Sequence, residues 1–180
     1  MENVQPIRDK KAIATMKAIL RRGSYRNYIM FLLGCNTALR VGDLLRLTVG
    51  DVRGQEHITV REEKTGKARR HRLPDSVRKE LDDYTEGMDV DDPLFPSRKG
   101  GKPISTIQAW RILSSAADEA GLPDIGTHSM RKTFAYHAYK TTKDIAVVQH
   151  VLNHGSPSVT KRYIGIQDDD VDKALEGFVL

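Results

Sequence analysis

Six polar side chains of this 180-residue chain are of the types that together transfer a phosphoryl group. Two guanidinium groups can bind the non-bridging oxygens of a phosphate, and a general acid can protonate the oxygen that leaves. A phenol oxygen can serve as the nucleophile. In chain order these residues are Arg40, Lys64, His128, Arg131, His154 and Tyr163. The set is suited to phosphoryl transfer.

His128 and Arg131 belong to a segment that is predicted to be helical. Residues three apart on a helix project from one face, so both side chains can reach the same phosphate. The pattern by itself is also common on solvated helix faces. Arg40 follows an apolar helix, and its planar guanidinium can bind two phosphate oxygens and stay charged when partly desolvated. The alternative for Arg40 is a surface ion pair with Asp43.

The elements that must position these residues are mainly helical. Apolar spacing and capping residues predict helices over residues 13–23, 24–33, 41–47, 75–84, 106–120, 128–139, 144–153, 157–163 and 168–178. Residues 57–61 and 69–73 are predicted to be two strands, joined by a turn that contains Gly66, and residues 94–95 a short third strand. The fold class is therefore mainly α with a small antiparallel β-sheet (α+β).

Four motifs in this order resemble the Arg…Lys…His-x-x-Arg…His…Tyr signature of the tyrosine recombinases, also called the phage integrase family. The resemblance covers nearly the whole chain from Pro6 onward. The motifs occupy residues 37–45, 63–67 and 126–133, and the closing motif is formed by 152–156 with 162–165. One departure is Asn153, which precedes the closing histidine where many members carry glycine. Asparagine tolerates the left-handed backbone conformation, so the change is mild.

The resemblance implies a catalytic-domain fold and a role for each residue of the set. Tyr163 would attack a DNA phosphodiester, and Lys64 would protonate the leaving 5′ oxygen. The two arginines and two histidines would bind the scissile phosphate. Asp43, one helical turn after Arg40, would orient Arg40 and its helix. The family pattern selects Lys64 over Lys67, although the two are close enough in sequence for the register to differ.

The remaining basic residues of the predicted hairpin have simpler explanations. Lys67, Arg69 and Arg70 are expected to be solvated or to contact the DNA backbone. The other four histidines show no metal-ligand spacing with carboxylates or with the single cysteine, so we predict no metal site. No phosphate-binding loop of the ATPase type is present, and the resemblance implies no cofactor, because the phosphotyrosine bond stores the energy of the cleaved phosphodiester.

Composition limits the class of protein. Hydrophobic residues make up 39% and charged residues 29%, as in a globular domain, and one domain accommodates the chain. A net charge of +5 favours a polyanionic partner. No signal peptide or membrane-spanning stretch is visible, so we expect a cytoplasmic protein. The resemblance implies that a bacterium or a phage encodes it. A single catalytic domain over residues 1–180, without an N-terminal core-binding DNA domain, is expected.

The resemblance implies site-specific recombination or integration of double-stranded DNA through a covalent 3′-phosphotyrosine. A DNA-binding regulator on the same fold and a type IB topoisomerase remain alternatives. Single protomers cover one side of the duplex, so we expect self-association on DNA as a dimer or tetramer. The segment 168–180, with its apolar end, is a candidate to dock on a neighbouring subunit.

Overall fold

The structure, a computed structural model, describes residues 4–63, 66–165 and 176–178. Three helices come first, α1 Lys10–Gly23, α2 Tyr25–Thr37 and α3 Val41–Leu45, followed by a 3-10 turn at Val49–Asp51. Two strands follow, β1 His57–Arg61 and β2 Ala68–Arg72. The remaining helices are α4 Asp75–Thr85, α5 Thr106–Glu119, α6 Thr127–Thr142, α7 Ile145–Leu152 and α8 Pro157–Ile164. The predicted helix over 168–178 lies largely outside the described residues.

Helix α2 is the centre of the fold. Its run from Tyr28 to Gly34 is buried throughout, and α1, α4 and α6 pack around it. The close approach of α6 depends on Gly34, because a Cβ there would lie 2.6 Å from the sulfur of Met130. A second, smaller core joins α6, α7 and α8 through Ala135, Leu152 and Ile164. This smaller core holds the C-terminal helices against the end of α2.

The predicted hairpin is present. Strands β1 and β2 are antiparallel, with Ile58 opposite His71 and Arg61 opposite Ala68. Gly66 has a φ of 65°, the left-handed conformation for which the turn favours glycine. The second strand begins and ends one residue earlier than predicted, although Leu73 still donates its N–H to the carbonyl of Glu56.

The predicted third strand at residues 94–95 is wrong. The sheet of the described residues has two strands, and Leu94 and Phe95 lie between isolated bridges that join Thr48 to Pro93 and Pro96 to Pro103. Proline has no N–H to donate, so the prolines on either side stop a regular ladder from extending. Both residues are instead fully buried in the main core.

Local signals set most helix ends. The Ser105 side chain accepts the N–H of Gln108, and the Ser156 side chain accepts that of Val159, with Pro157 opening α8. Helix α2 runs on to Thr37, beyond the predicted end, and α3 stops at Leu45. Among the described residues, no helix is long and apolar enough to cross a membrane.

Candidate active site

Arg131 is buried, with 4% of its surface exposed. Its Nη2 donates to the carbonyl of Leu152 at 2.6 Å, and its Nη1 donates to the carbonyl of Ala38. These two carbonyls belong to the ends of α7 and α2. Arg131 therefore holds two helix C-termini together from its own position on α6.

The local backbone explains why these carbonyls are available. The last carbonyls of a helix have no partner within the helix, and they carry the negative end of its dipole. Helix α2 is terminated by Ala38 and α7 by Asn153, both in the left-handed conformation, with φ of 56° and 54°. At both helix ends the left-handed residue reverses the direction of the chain, which leaves the carbonyl oxygens of Ala38 and Leu152 facing Arg131. A buried guanidinium is stabilised by such an environment.

Arg40 is held by a residue that the sequence did not point to. Its Nη1 lies 2.7 Å from Oε1 of Glu62, and the side chains are 23% and 4% exposed. Arg40 stands at the N-cap of α3, while Glu62 directly follows β1. The ion pair therefore ties the hairpin to the start of α3 and leaves part of Arg40 open to solvent.

The role predicted for Asp43, which is to orient Arg40 and its helix, stays a prediction. Asp43 is buried, but its Oδ1 accepts the backbone N–H of Glu63 at 3.1 Å and a bond of 2.5 Å from Arg46. Arg46 also binds the carboxylate of Glu63. Asp43 thus anchors the hairpin to α3 at Glu63, the residue that follows the partner of Arg40.

Tyr163 and His154 are in contact beside these arginines. Their ring centroids are 4.9 Å apart with planes at 80°, the edge-to-face arrangement that aromatic rings favour. Nδ1 of His154 lies 3.1 Å from the hydroxyl oxygen of Thr160, which is fully buried on α8. Helix α8 therefore positions both the predicted nucleophile and one of the predicted phosphate ligands.

The Tyr163 oxygen is buried beside the Arg131 guanidinium, and no described residue forms a hydrogen bond of full geometry with it. Burial raises the pKa of the phenol, and the positive charges of Arg131 and Arg40 oppose that rise. The nitrogen of Lys132 also lies 5.5 Å from the centre of the Tyr163 ring. The phenol oxygen therefore lies buried beside two guanidinium groups, which favour its ionised form.

The histidines of the site are neutral in the free protein. Burial, with the nearby Arg131 and Arg40, lowers the pKa of His154 to about 4. Burial and the same arginines, together with Lys132, also lower the pKa of His128. Two neutral imidazoles can each donate one hydrogen bond and accept another.

The hairpin cations separate into different environments. Lys64, at the hairpin tip, lies outside the described residues, so its predicted role stays a prediction. Lys67 and Arg70 are exposed. Arg69 is half-buried, and its Nη2 donates to the side-chain oxygen of Asn153. This intramolecular contact of Arg69 was not predicted, and DNA-backbone contacts by these three residues remain a prediction.

Two residues of this network, Glu62 and Asn153, were missed as functional candidates. Glu62 is an acidic residue inside a basic hairpin, a signal that could have marked a partner for a buried cation. Asn153 was considered only because asparagine tolerates the left-handed backbone conformation. Within the described parts of the chain, no group of His, Cys, Asp and Glu side chains is arranged to hold a metal ion.

The stability of the folded protein is expected to fall as the pH drops from about 7 to about 5. The His154 pKa is about 4 in the folded chain against a usual value of 6.5, so between these values the unfolded chain binds more protons. This stabilisation is complete above pH 6.5 and is lost towards pH 4. Burial also lowers the pKa of His128 and His71, so both histidines should add to the loss of stability at low pH.

Thermal melts across this pH range test the histidine contribution. His154→Gln should reduce the fall in Tm, because the variant lacks the group whose protonation opposes folding. His150→Gln is the matched control, since His150 is exposed. If the Tm of His154→Gln falls as steeply as that of the wild type, the histidine does not contribute in this way.

Comparison with known sequences identifies the family. The profile described as "Phage integrase family" matches residues 7–169. The "Probable integrase/recombinase YoeC" of Bacillus subtilis is 47% identical over 178 residues, which are 99% of this chain and 98% of that protein. The "Tyrosine recombinase XerA" of Pyrococcus furiosus is 30% identical over 162 residues, 88% of this chain and 56% of that protein. The chain thus spans about half the length of the archaeal relative.

Solved structures agree with the sequence comparison. The crystal structure of XerA recombinase superimposes with a TM-score of 0.79 at 22% identity, covering 98% of this chain and 64% of that chain. The catalytic domain of bacteriophage HP1 integrase gives a TM-score of 0.64 at 19% identity, covering 97% and 95%. Both likenesses confirm the predicted α+β fold of a tyrosine recombinase catalytic domain. The chain, matched by the family profile over most of its length, belongs to the phage integrase family of tyrosine recombinases.

Proposed function

We propose that this protein is a site-specific DNA recombinase that cleaves and rejoins DNA through a covalent 3′-phosphotyrosine. The observation that carries the proposal is the buried oxygen of Tyr163, which has no hydrogen-bond partner among the described residues and lies in the field of Arg131 and Arg40. A buried polar atom without a partner is costly in a structural role. Its place beside two phosphate-binding cations suits a nucleophile.

The first chemical step is a transesterification. The Tyr163 oxygen attacks the scissile phosphorus, the bond to the 5′ oxygen breaks, and Lys64 donates a proton to that oxygen. The phenol loses its proton as it attacks, and the neutral imidazole of His128 can accept it, while His154 keeps its own proton for the phosphate. Arg40 and Arg131 bind the non-bridging oxygens, where negative charge builds up in the transition state.

His154 has a defined tautomer in this proposal. Donation from Nε2 to the phosphate requires that Nδ1 accept a hydrogen bond, and the Thr160 hydroxyl lies 3.1 Å from Nδ1. In this proposal the hydroxyl donates to Nδ1 rather than to the carbonyl oxygen of Ser156, which lies 3.3 Å away, and the proton of the imidazole is held on Nε2. Thr160 would therefore select the tautomer that can contact the phosphate.

The second step reverses the first with a new partner. The 5′ hydroxyl of another strand attacks the phosphotyrosine, releases Tyr163 and completes strand exchange. The free energy of the cleaved phosphodiester bond is retained in the phosphotyrosine bond, so the reaction needs neither ATP nor another cofactor. The cationic side chains take the place that metal ions have in other phosphoryl-transfer enzymes.

Double-stranded DNA is the proposed partner, and the whole chain acts as one catalytic domain in the cytoplasm of a bacterial host. The titles of related structures describe XerH "bound to difH substrate" and a lambda integrase "dimer bound to a COC' core site". By analogy, two or four protomers would assemble on paired half-sites. Lys67 and Arg70, both exposed, would add sequence-independent contacts to phosphates.

A suicide DNA substrate tests the proposed function. A nick beside the cleavage site lets the short 5′ fragment diffuse away, so cleavage traps the protein on DNA as an SDS-resistant adduct. We expect the adduct to form in excess EDTA, and a two-site assay to yield recombinant product. A strict magnesium requirement for cleavage would contradict the mechanism. Adducts without recombinants would instead indicate a topoisomerase, and DNA binding without any adduct would indicate a regulator.

A further inference from the structure

Asn153 connects two parts of the site through its side chain. It terminates α7 with φ 54° and ψ 43°, directly before His154. Its Nδ2 donates to Oε2 of Glu62 at 3.0 Å, while its Oδ1 accepts from Nη2 of Arg69. The two partners define the orientation of the amide, because a flipped amide would place oxygen against the carboxylate and nitrogen against the guanidinium.

Glu62 connects Asn153 to Arg40. Its carboxylate is 4% exposed, and the oxygen that Asn153 does not contact lies 2.7 Å from Nη1 of Arg40. The backbone of Glu62 also closes the hairpin, since its N–H donates to the carbonyl of Lys67 at 3.0 Å. A buried carboxylate with one oxygen hydrogen-bonded to an amide and the other ion-paired with a guanidinium has little freedom to rotate. The orientation of Glu62 therefore depends on Asn153.

We propose that Asn153 is a positioning residue that sets the orientation of Arg40 through Glu62. The inference rests on the proposed recombinase function and deepens it. Arg40 is a long, partly exposed side chain whose guanidinium must meet the phosphate in one geometry. A preorganised donor stabilises the transition state without having to reorient during the reaction. Asn153 thereby links the turn that carries His154 to Arg40 through Glu62.

Asn153→Gly tests the role of the Asn153 side chain without changing the backbone conformation that ends α7. Glycine adopts the left-handed conformation at no cost, so the variant keeps the backbone and loses only the side-chain bridge. We expect an unchanged affinity for a DNA site. The rate of adduct formation at saturating DNA should fall by about tenfold or more, as for a lost hydrogen bond to a charged group.

Asn153→Asp identifies which of the two contacts matters. An aspartate tolerates the same backbone conformation and can still accept from Arg69, but its carboxylate cannot donate to Glu62 and repels it. This variant should be at least as slow as Asn153→Gly near pH 8. A wild-type rate for the aspartate variant would overturn the proposal, because Arg69 alone would then account for the role of Asn153.

A double-mutant comparison tests the route through Arg40. If Asn153 acts by orienting Arg40, then Asn153→Gly should cost nothing further when Arg40 is already alanine. The control background is His128→Ala, in which Asn153→Gly should keep its full cost. Equal costs in both backgrounds would overturn the proposal, since a purely structural contribution is additive. Absence of any adduct from the wild-type protein would instead contradict the proposed function itself.

Discussion

Tyr163→Phe is expected to abolish covalent adduct formation and to leave DNA binding unchanged. The substitution removes one oxygen, the proposed nucleophile, and keeps the ring that packs against His154. The Tyr163 oxygen makes no hydrogen bond with the described residues, so its removal relieves a buried polar group of its desolvation cost. The Tm of the variant should therefore equal or exceed that of the wild type.

The matched controls are Tyr139→Phe and Tyr136→Phe. Tyr139 packs against the small C-terminal core, and Tyr136 is flanked by Arg8 and Lys140. Both variants should retain adduct formation on a suicide substrate. An SDS-resistant complex formed by Tyr163→Phe, together with its loss in either control, would reassign the nucleophile.

The second large effect is expected for the two arginines. Arg40→Ala and Arg131→Ala should each lower the single-turnover cleavage rate by about 10² to 10³, with much smaller changes in DNA affinity. Their contacts to the phosphate strengthen as negative charge builds in the transition state, so the loss falls on the rate rather than on binding. Cleavage rates at saturating DNA and dissociation constants measured at the same salt concentration separate the two effects.

The two arginines should differ in stability. Arg131→Ala leaves the carbonyls of Ala38 and Leu152 without their buried donor, at a cost of about 1–3 kcal/mol for each group. Arg40→Ala removes one partner of the buried Glu62 carboxylate, which keeps its hydrogen bond from Asn153, so this variant should lower the Tm less. Arg22→Ala is the control for loss of charge, because Arg22 is 70% exposed in its pair with Glu119. Proportional losses of rate and affinity would mark Arg40 and Arg131 as ordinary phosphate contacts.

Arg131→Lys distinguishes the positive charge of Arg131 from its hydrogen bonds to the two carbonyls. The lysine keeps the positive charge, but one ammonium group cannot reach both carbonyls in the way that a planar guanidinium does. We expect the cleavage rate of this variant to stay far below that of the wild type. A rate close to that of the wild type would show that charge alone suffices at this position.

The local elements of the fold were determined by the sequence itself. Ser105 and Ser156 cap their helices through bonds to residues three positions further on. Gly66 takes the positive φ that the hairpin turn needs. Such signals are readable in a sequence because the donor, the acceptor and the backbone restriction all lie within a few residues. The types and order of the site residues likewise indicated phosphoryl transfer and the family.

Contacts between distant segments were decided only by the tertiary structure. Arg131 binds carbonyls 93 and 21 residues away, and backbone oxygens carry no mark in the sequence. Arg40 pairs with Glu62 rather than with Asp43, because packing of the hairpin on α3 brings Glu63 N–H to Asp43 and Glu62 to Arg40. The bridge from Asn153 to Glu62 spans 91 residues. Residue type and spacing define what each side chain can do, but its partner depends on which chain segment packs beside it.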